Sequence, residues 1–161
     1  MICSTRSHGS SPENTQLHRR KENSMSTMIF VNLPVKDLGK STAFYEALGY
    51  RKNPQFSDEN ASSIVVSEQI HVMLLTEKFF STFTKKAVAD ATTTTESIIC
   101  ISADSREAVD ALADKALASG GSFSNDPMDE GFMYGRSFQD PDGHLWEVMW
   151  MDVDAAQGQE S

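Results

Sequence analysis

The chain has 161 residues and a formal net charge of −9. This length can bury one sizeable core, and the acidity argues against nucleic acid or anionic membrane surfaces as partners. The two cysteines, Cys3 and Cys100, are too few for a disulfide framework, so a reducing, cytoplasmic compartment is expected. No apolar stretch approaches the length of a membrane span.

Residues 1–27 are polar and lack hydrophobic periodicity, which predicts a disordered leader. Lys21 and Glu22 can be encoded by a purine-rich sequence resembling a bacterial ribosome-binding site just upstream of Met25. We therefore hypothesise that the leader is not native and that translation begins at Met25 or Met28. A basic targeting arm is the competing interpretation, and N-terminal sequencing of the native protein distinguishes the two.

A first β-α-β-β-β unit is predicted over residues 28–84. Its first strand is β-branched and aromatic, and Asp37 has the character of a helix N-cap. Phe44, Tyr45 and Leu48 form the apolar stripe of that helix, which Gly49 would end. Polar segments separate three further strands, and an aromatic turn follows. The predicted strands are residues 28–35, 51–56, 62–67 and 70–76.

The same order of elements recurs after a linker at 85–96 that is rich in alanine and threonine. Asp104 or Ser105 would cap a second amphipathic helix. The predicted strands of this second unit, 97–152, are residues 97–103, 122–125, 133–139 and 145–151. The tail, 153–161, is predicted to be frayed. The sequence thus predicts an α+β fold in which two tandem β-α-β-β-β units form a half-open, curved sheet.

The last strand of the second unit follows a turn of sequence Asp-Pro-Asp-Gly at 140–143. Alternation places Glu147 on one face with Leu145, Met149 and Met151. Burying a carboxylate in an apolar row is costly without a cation, a hydrogen-bond network or a ligand. Two interpretations therefore remain open at this point: Glu147 belongs to a functional site, or it faces water from an edge strand.

These features resemble the vicinal-oxygen-chelate superfamily of glyoxalase I, bleomycin-resistance proteins, fosfomycin-resistance enzymes and extradiol dioxygenases. The resemblance covers residues 28 to about 152 and is closest to bacterial glyoxalase-like predicted lactoylglutathione lyases. It is carried by Val-Lys-Asp-Leu at 35–38, Phe-Tyr at 44–45, Leu-Gly at 48–49, the turn at 140–143 and Glu147. It implies eight strands curled around a small-molecule site, often completed by a homodimer.

The resemblance also implies four metal-ligand positions, one in the first and one in the last strand of each unit. They fall on Phe30, on Leu74 (or, with a one-residue slip, Met73), on Ile98 and on Glu147. Only Glu147 is a ligand-type residue, and one carboxylate does not hold a divalent ion. We therefore expect a weak, incomplete metal site at Glu147, and no cofactor is firmly implied.

Other residues on the same predicted strand faces are candidates for substrate binding: Phe30, Asn32, His71, Ile98, Cys100, Tyr134, Arg136 and Met149. Each also has an ordinary structural interpretation. His71 can face solvent at a strand entry, Cys100 can be a small core residue, and Asn32 can satisfy a neighbouring backbone group. Tyr134 and Arg136 suit a pocket rim or an interface.

Two classes of function follow. The first is a metal-free homodimer that binds a small molecule in an apolar cavity. It is favoured because three of the four expected metal-ligand positions do not hold ligand-type side chains. The alternative is a metal-dependent lyase, isomerase or dioxygenase acting on a small oxygenated substrate, with Glu147 as general base or last metal ligand. The identity of the ligand does not follow from the residues.

Overall fold

The computed structural model describes residues 26–157, so the predicted leader at 1–27 and the end of the tail fall almost wholly outside the described residues. The predicted α+β architecture of two β-α-β-β-β units is confirmed. Each unit builds its own mixed sheet, and one helix of each unit packs on that sheet. Within residues 26–157, the helices are all too short or too polar to cross a membrane.

The first sheet has the strand order β1-β4-β3-β2, with β1 parallel to β4 and the other pairs antiparallel. Pro34 lies in β1, an edge strand, where its missing N–H is tolerated. The elements of this unit are β1 (Ile29–Val35), α1 (Leu38–Ala47), β2 (Arg51–Asn53), β3 (Ala61–Val65), β4 (Ile70–Thr76) and the short helix α2 (Glu77–Phe80).

Helix α1 begins and ends as its sequence predicts. The Asp37 carboxylate accepts a hydrogen bond from the backbone N–H of Lys40 at 2.9 Å, and Gly49 takes a φ of 100° after the last turn. The predicted strand over 51–56 is wrong in its second half. Pro54 begins a turn of 3₁₀ helix there, because proline has no N–H to donate to a strand partner.

The second sheet has the order β5-β9-β8-β6, with β5 parallel to β9. Its edge strand is interrupted: β6 and β7 both pair with β8, and residues 124–127 bulge out between them. Strand β7 was missed by the sequence prediction, and the tail begins with a short helix instead of fraying. The elements are β5 (Ile98–Ser102), α3 (Arg106–Ala118), β6 (Ser122–Phe123), β7 (Met128–Asp129), β8 (Met133–Gln139), β9 (Leu145–Met151) and α4 (Val153–Gln157).

The two units share one hydrophobic core. Phe44 and Tyr45 of α1 pack against Phe138 and Trp146 of the second sheet, with ring centroids 6.2 Å and 5.7 Å apart for the pairs Phe44–Phe138 and Tyr45–Trp146. The helix-side faces of both sheets are therefore buried in a single cluster. The opposite faces remain open, and these are the faces on which a ligand site can be built.

Candidate functional site

Glu147 lies on the open face of the second sheet. Its neighbours along β9, Trp146 and Val148, are almost completely buried on the helix side, so alternation turns Glu147 the other way. Its cross-strand partners are Cys100 on β5 and Ser137 on β8. The predicted orientation of Glu147, away from Trp146, is what the structure has.

A cavity of about 160 Å³ adjoins Glu147. The bulge between β6 and β7 forms one wall, and the open face of β8 and β9 forms the other. The Asn125 N–H donates to the hydroxyl of Ser137 at 3.0 Å, which ties the bulge to β8. The lining residues are Asn125, Asp126, Met128, Gly135, Arg136, Ser137, Glu147 and Met149.

Gly135 forms the floor of this cavity. It is buried in the middle of β8, where a side chain would sit between the two flanking methionines. A Cβ at this position would lie 3.7 Å from Cε of Met128 and 4.0 Å from Cε of Met149. A glycine inside a strand weakens the strand and often marks the close approach of a ligand or another backbone. Here its missing side chain leaves the space between Glu147 and the bulge.

Arg106, on α3, holds the far end of the bulge. Its guanidinium donates to both carboxylate oxygens of Asp129, at 2.7 and 2.8 Å, and to the carbonyl of Gly131 at 2.6 Å. It also lies 5.0 Å and 5.3 Å from the ring centroids of Tyr134 and Trp150. The hydrogen bonds from Arg106, and then that from the Gly131 N–H, lower the pKa of Asp129 to about 2. This anchor fixes β7, and with it Met128, against the cavity.

Tyr134 and Arg136 lie on the other face of β8, so the structure does not bring them to Glu147. The Arg136 guanidinium pairs with Asp110 at 3.1 Å and Asp114 at 2.7 Å, both on α3. The Tyr134 hydroxyl donates to Asp110 at 2.7 Å. Successive side chains of β8 point to opposite faces of the sheet, and those at even-numbered positions face α3. These two side chains are therefore bound to α3 and do not contact Glu147.

On the first sheet, the corresponding open face carries Phe30, Asn32, His71 and Met73. The Phe30 and His71 rings stack with centroids 5.1 Å apart. The Asn32 amide donates to the Phe30 carbonyl at 3.1 Å, which is the local structural role that the sequence left open. The buried Nε2 of His71 has no hydrogen-bond partner within residues 26–157.

The strand registers of the two units show which residue of β4 corresponds to Glu147 of β9. Asn32 pairs with Met73, as Cys100 pairs with Glu147, while Leu74 is completely buried on the helix side. The register therefore makes Met73, and not Leu74, the counterpart of Glu147. This register corresponds to the one-residue slip to Met73, and the ligand role of that position stays a prediction.

The side chains at the four expected ligand positions do not fit a divalent metal ion. Phe30 and Ile98 offer no donor atom, Met73 offers a soft thioether, and only Glu147 offers a hard oxygen. Among the side chains of residues 26–157, no group of three or more His, Cys, Asp or Glu is arranged to hold a metal. We therefore derive no chemistry through a metal ion.

Cys100, the strand partner of Glu147, is not an activated thiol. Partial burial, and then the negative charge of Glu147, raise the pKa of the Cys100 thiol. Thiolates are the nucleophilic form of cysteine, so this environment suppresses the reactivity of Cys100.

A second cavity, of about 280 Å³, lies where the two units meet. Asn32 and Pro34 of β1 line one side, and His144 and Leu145 line the other, under the linker that joins the units. A ring nitrogen of His144, Nε2, lies 2.8 Å from the Pro34 carbonyl oxygen. His144 therefore contacts the first unit. Asn32 borders this cavity, whereas Glu147 and Met149 border the other.

The turn at 140–143 is a buried clamp between the units. The Asp140 carboxylate accepts a hydrogen bond from the Tyr45 hydroxyl at 2.6 Å, and the Tyr45 hydroxyl accepts one from the Trp146 indole at 3.1 Å. Burial, followed by the negative charge of Asp140, raises the pKa of Tyr45, so its phenol remains a donor. The Asp142 carboxylate accepts from the Ser41 hydroxyl at 2.7 Å and from the Lys36 N–H at 2.9 Å.

Known proteins resemble this chain in sequence and in fold. The sequence-family model of the Glyoxalase/Bleomycin resistance protein/Dioxygenase superfamily matches residues 27–148. A hypothetical protein, SA1046 from S. aureus, has 29% identity and a TM-score of 0.67, with 78% of this chain and 94% of that one covered. No curated protein matches the chain.

Two further solved structures share the fold at lower identity. The fosfomycin resistance protein FosX from Listeria monocytogenes has 20% identity and a TM-score of 0.59, covering 81% of this chain and 97% of that one. A lactoylglutathione lyase from Agrobacterium tumefaciens has 17% identity and a TM-score of 0.58, covering 78% and 94%. These likenesses establish the fold and leave the ligand to be argued from the side chains.

Proposed function

This chain belongs to the Glyoxalase/Bleomycin resistance protein/Dioxygenase superfamily, and we propose that within it the chain is a small-molecule-binding protein that works without a metal ion. One observation carries the proposal. Of the four positions where the superfamily resemblance places metal ligands, three hold Phe30, Met73 and Ile98, yet the fourth, Glu147, borders a preformed cavity. The fold of a ligand-binding scaffold is thus kept while the usual metal donors are missing.

The chemistry around Glu147 supports binding of a small ligand. The cavity of about 160 Å³ is below the roughly 300–1,000 Å³ of pockets for drug-sized molecules. Its walls combine thioethers from Met128 and Met149 with carboxylates from Asp126 and Glu147. Methionine side chains adapt to varied apolar surfaces. The carboxylates supply the directional contacts that orient a ligand.

Metal analysis and ligand screening together test this function. Protein purified without chelators is expected to contain no stoichiometric divalent ion. Small molecules that raise its melting temperature are expected to do so equally with and without EDTA. A ligand that binds the folded state and not the unfolded state stabilises the protein, and under this proposal that binding does not involve a metal ion. Differential scanning fluorimetry and elemental analysis measure both. A stoichiometric divalent ion, or a ligand effect that EDTA abolishes, would contradict the proposal.

A second candidate function is metal-independent proton transfer by Glu147. The observation that favours it is that none of the ion pairs within residues 26–157 engages this half-buried carboxylate. A positioned carboxylate without a partner can act as a general base on a bound carbonyl compound. Turnover that survives EDTA and is lost in Glu147→Gln would favour this candidate over simple binding.

We also propose that the chain forms a homodimer through the open faces of its edge strands. Phe30 on β1 and Ile98 on β5 remain 50% and 52% exposed, although both are large and apolar. Large apolar residues that stay exposed on the open faces of the two sheets mark a surface that a partner can cover. A cytoplasmic location remains a prediction from the cysteine content.

Sedimentation analysis at micromolar concentration is expected to show a dimer that Phe30→Asp weakens. Phe123→Asp is the matched control, because Phe123 is also exposed but lies on β6, at the far edge of the second sheet. The control is expected to leave the dimer intact. A monomeric wild type, or a dimer that responds equally to both substitutions, would contradict this mode of association.

A further inference from the structure

The cavity beside Glu147 has an unbalanced charge. The residues that line it include two carboxylates, Glu147 and Asp126, and one basic residue, Arg136. The Arg136 guanidinium is bound to Asp110 and Asp114 on the helix side of β8, at 3.1 and 2.7 Å. It is therefore not free to neutralise Glu147. A ligand that enters the cavity meets negative charge without a positive counterpart.

The end of the cavity at Gly135 is apolar and is shaped by an absent side chain, while Asn125 and Ser137 are polar members of the lining. Gly135 leaves a gap whose borders are the methyl groups of Met128 and Met149, 3.7 Å and 4.0 Å from where a Cβ would be. Polarisable thioethers make favourable contacts with aromatic rings and with alkyl groups. One end of the cavity therefore suits a charged group, and the other suits a small apolar one.

The wall that carries Asp126 and Met128 is held in place before any ligand arrives. Arg106 binds Asp129 and Gly131 at one end of the bulge, and Ser137 binds Asn125 at the other. Such preorganisation lowers the entropic cost of binding. The net charge of −9 on the whole chain adds a long-range attraction for cations.

We infer that the ligand of this cavity is a small organic cation, an amine in its ammonium form, with the ammonium group at Glu147 and its apolar part over Gly135 between Met128 and Met149. This inference rests on the proposed binding function and specifies its ligand class. Ammonium–carboxylate contacts are charge-assisted hydrogen bonds, which are about twice as strong as neutral ones. An anion of the same shape would be repelled by Glu147 and Asp126.

The test uses three probes of similar shape and different charge: benzylammonium, benzyl alcohol and benzoate. The full chain is labelled with ¹³C-methyl methionine, so that the methyl groups of Met128 and Met149 report from inside the cavity. Met128→Leu and Met149→Leu assign the two signals. Benzylammonium is expected to shift both signals saturably, benzyl alcohol to bind at least about tenfold more weakly, as expected for one charge-assisted hydrogen bond, and benzoate not to bind.

Variants locate the interaction. Glu147→Gln is expected to weaken benzylammonium about tenfold or more, because it keeps the shape and removes the charge. Asp126→Asn provides an independent variant should Glu147→Gln fold poorly, and it is expected to weaken binding to a smaller degree. Gly135→Val is expected to abolish binding of every probe by filling the floor. Glu68→Gln, at an exposed carboxylate on the first unit, is the control and should leave the affinity unchanged.

The outcomes separate the ligand class from the function. Equal binding of benzyl alcohol and benzylammonium, or an affinity indifferent to both carboxylate substitutions, would overturn the cation inference and leave the cavity as a binding site. If none of the three probes shifts either methyl signal, both the cation inference and the proposed binding function at this cavity are overturned. Charge-selective binding that Glu147→Gln weakens and Glu68→Gln does not would support both.

Discussion

Asp140→Ala is expected to lower the free energy of unfolding by at least about 3 kcal/mol, because the substitution leaves several buried donors without their acceptor. The carboxylate is 3% exposed and accepts hydrogen bonds from the Tyr45 hydroxyl at 2.6 Å and from the backbone N–H groups of Asp142 and His144 at 3.0 and 2.9 Å. Each buried donor left unpaired costs roughly 1–3 kcal/mol. Urea denaturation at pH 7 measures the loss.

The matched control is Asp37→Ala, at an exposed aspartate that caps α1. Losing an N-cap costs about 1 kcal/mol, so the two aspartates should differ clearly. The double variant with Tyr45→Phe isolates the contact between the units, since the two single losses should not add. A loss at Asp140 no larger than that at Asp37, or fully additive losses, would contradict the role of the turn as a clamp.

The contribution of Asp140 to the free energy of unfolding is also expected to depend on pH. Burial is the main cause that raises the pKa of Asp140, and the attraction of His144 only partly opposes it. A carboxyl whose folded pKa is raised contributes stability that is complete below its unfolded pKa of about 3.9. That contribution is lost as the pH rises through the folded pKa. The stability advantage of the wild type over Asp140→Asn should therefore shrink as the pH rises above about 4.

The sequence predicted the architecture because each unit repeats strong local signals. Asp37 caps a helix with an apolar stripe, Gly49 ends it, and β9 alternates in period two, so these elements depend on neighbours a few residues away. The recurrence of one order of elements then made the fold recognisable. Strand β7 and the bulge before it have no such signal, because their geometry depends on Arg106 and on pairing with β8.

The site was predictable only as far as alternation along one strand reaches. The orientation of Glu147 followed from its own row on β9. The placement of Tyr134 and Arg136 did not, because the sequence contains no sign that Asp110 and Asp114 on α3 would bind them. The role of Gly135 was also hidden. A glycine in a strand suggests a close approach, but the partners that approach, Met128 and Met149, are known only from the register.

At the turn at 140–143, too, local signals predicted the backbone shape and not the contacts that the two aspartates make. Its proline and glycine predicted a turn, and its two aspartates read as ordinary turn residues. In the structure both carboxylates are buried against α1, more than 90 residues away in sequence. The turn therefore joins the two units, and its position at the start of β9 lets it set the placement of Glu147.

Gly143→Ala is expected to destabilise the protein by roughly 2–5 kcal/mol, by adding backbone strain to a backbone clash. Gly143 has a φ of 92°, which costs an L-residue roughly 1–2 kcal/mol. Its Cβ would also lie 2.7 Å from the carbonyl oxygen of Ala91 and 2.9 Å from the nitrogen of Thr92. These are backbone atoms of the linker, held by the turn at Asp90, so they cannot move aside as a side-chain end could.

Gly49→Ala separates the two causes. Gly49 has a similar φ of 100°, but its Cβ would meet nothing within 4 Å, so this variant carries only the strain of roughly 1–2 kcal/mol. The excess loss in Gly143→Ala then measures the packing of the linker on the clamp. We expect that excess together with faster proteolysis within 85–96, since a displaced linker exposes its backbone. Equal losses in the two variants, with unchanged cleavage of the linker, would show that the linker is not fastened to the turn and that the clamp holds the two units together without it.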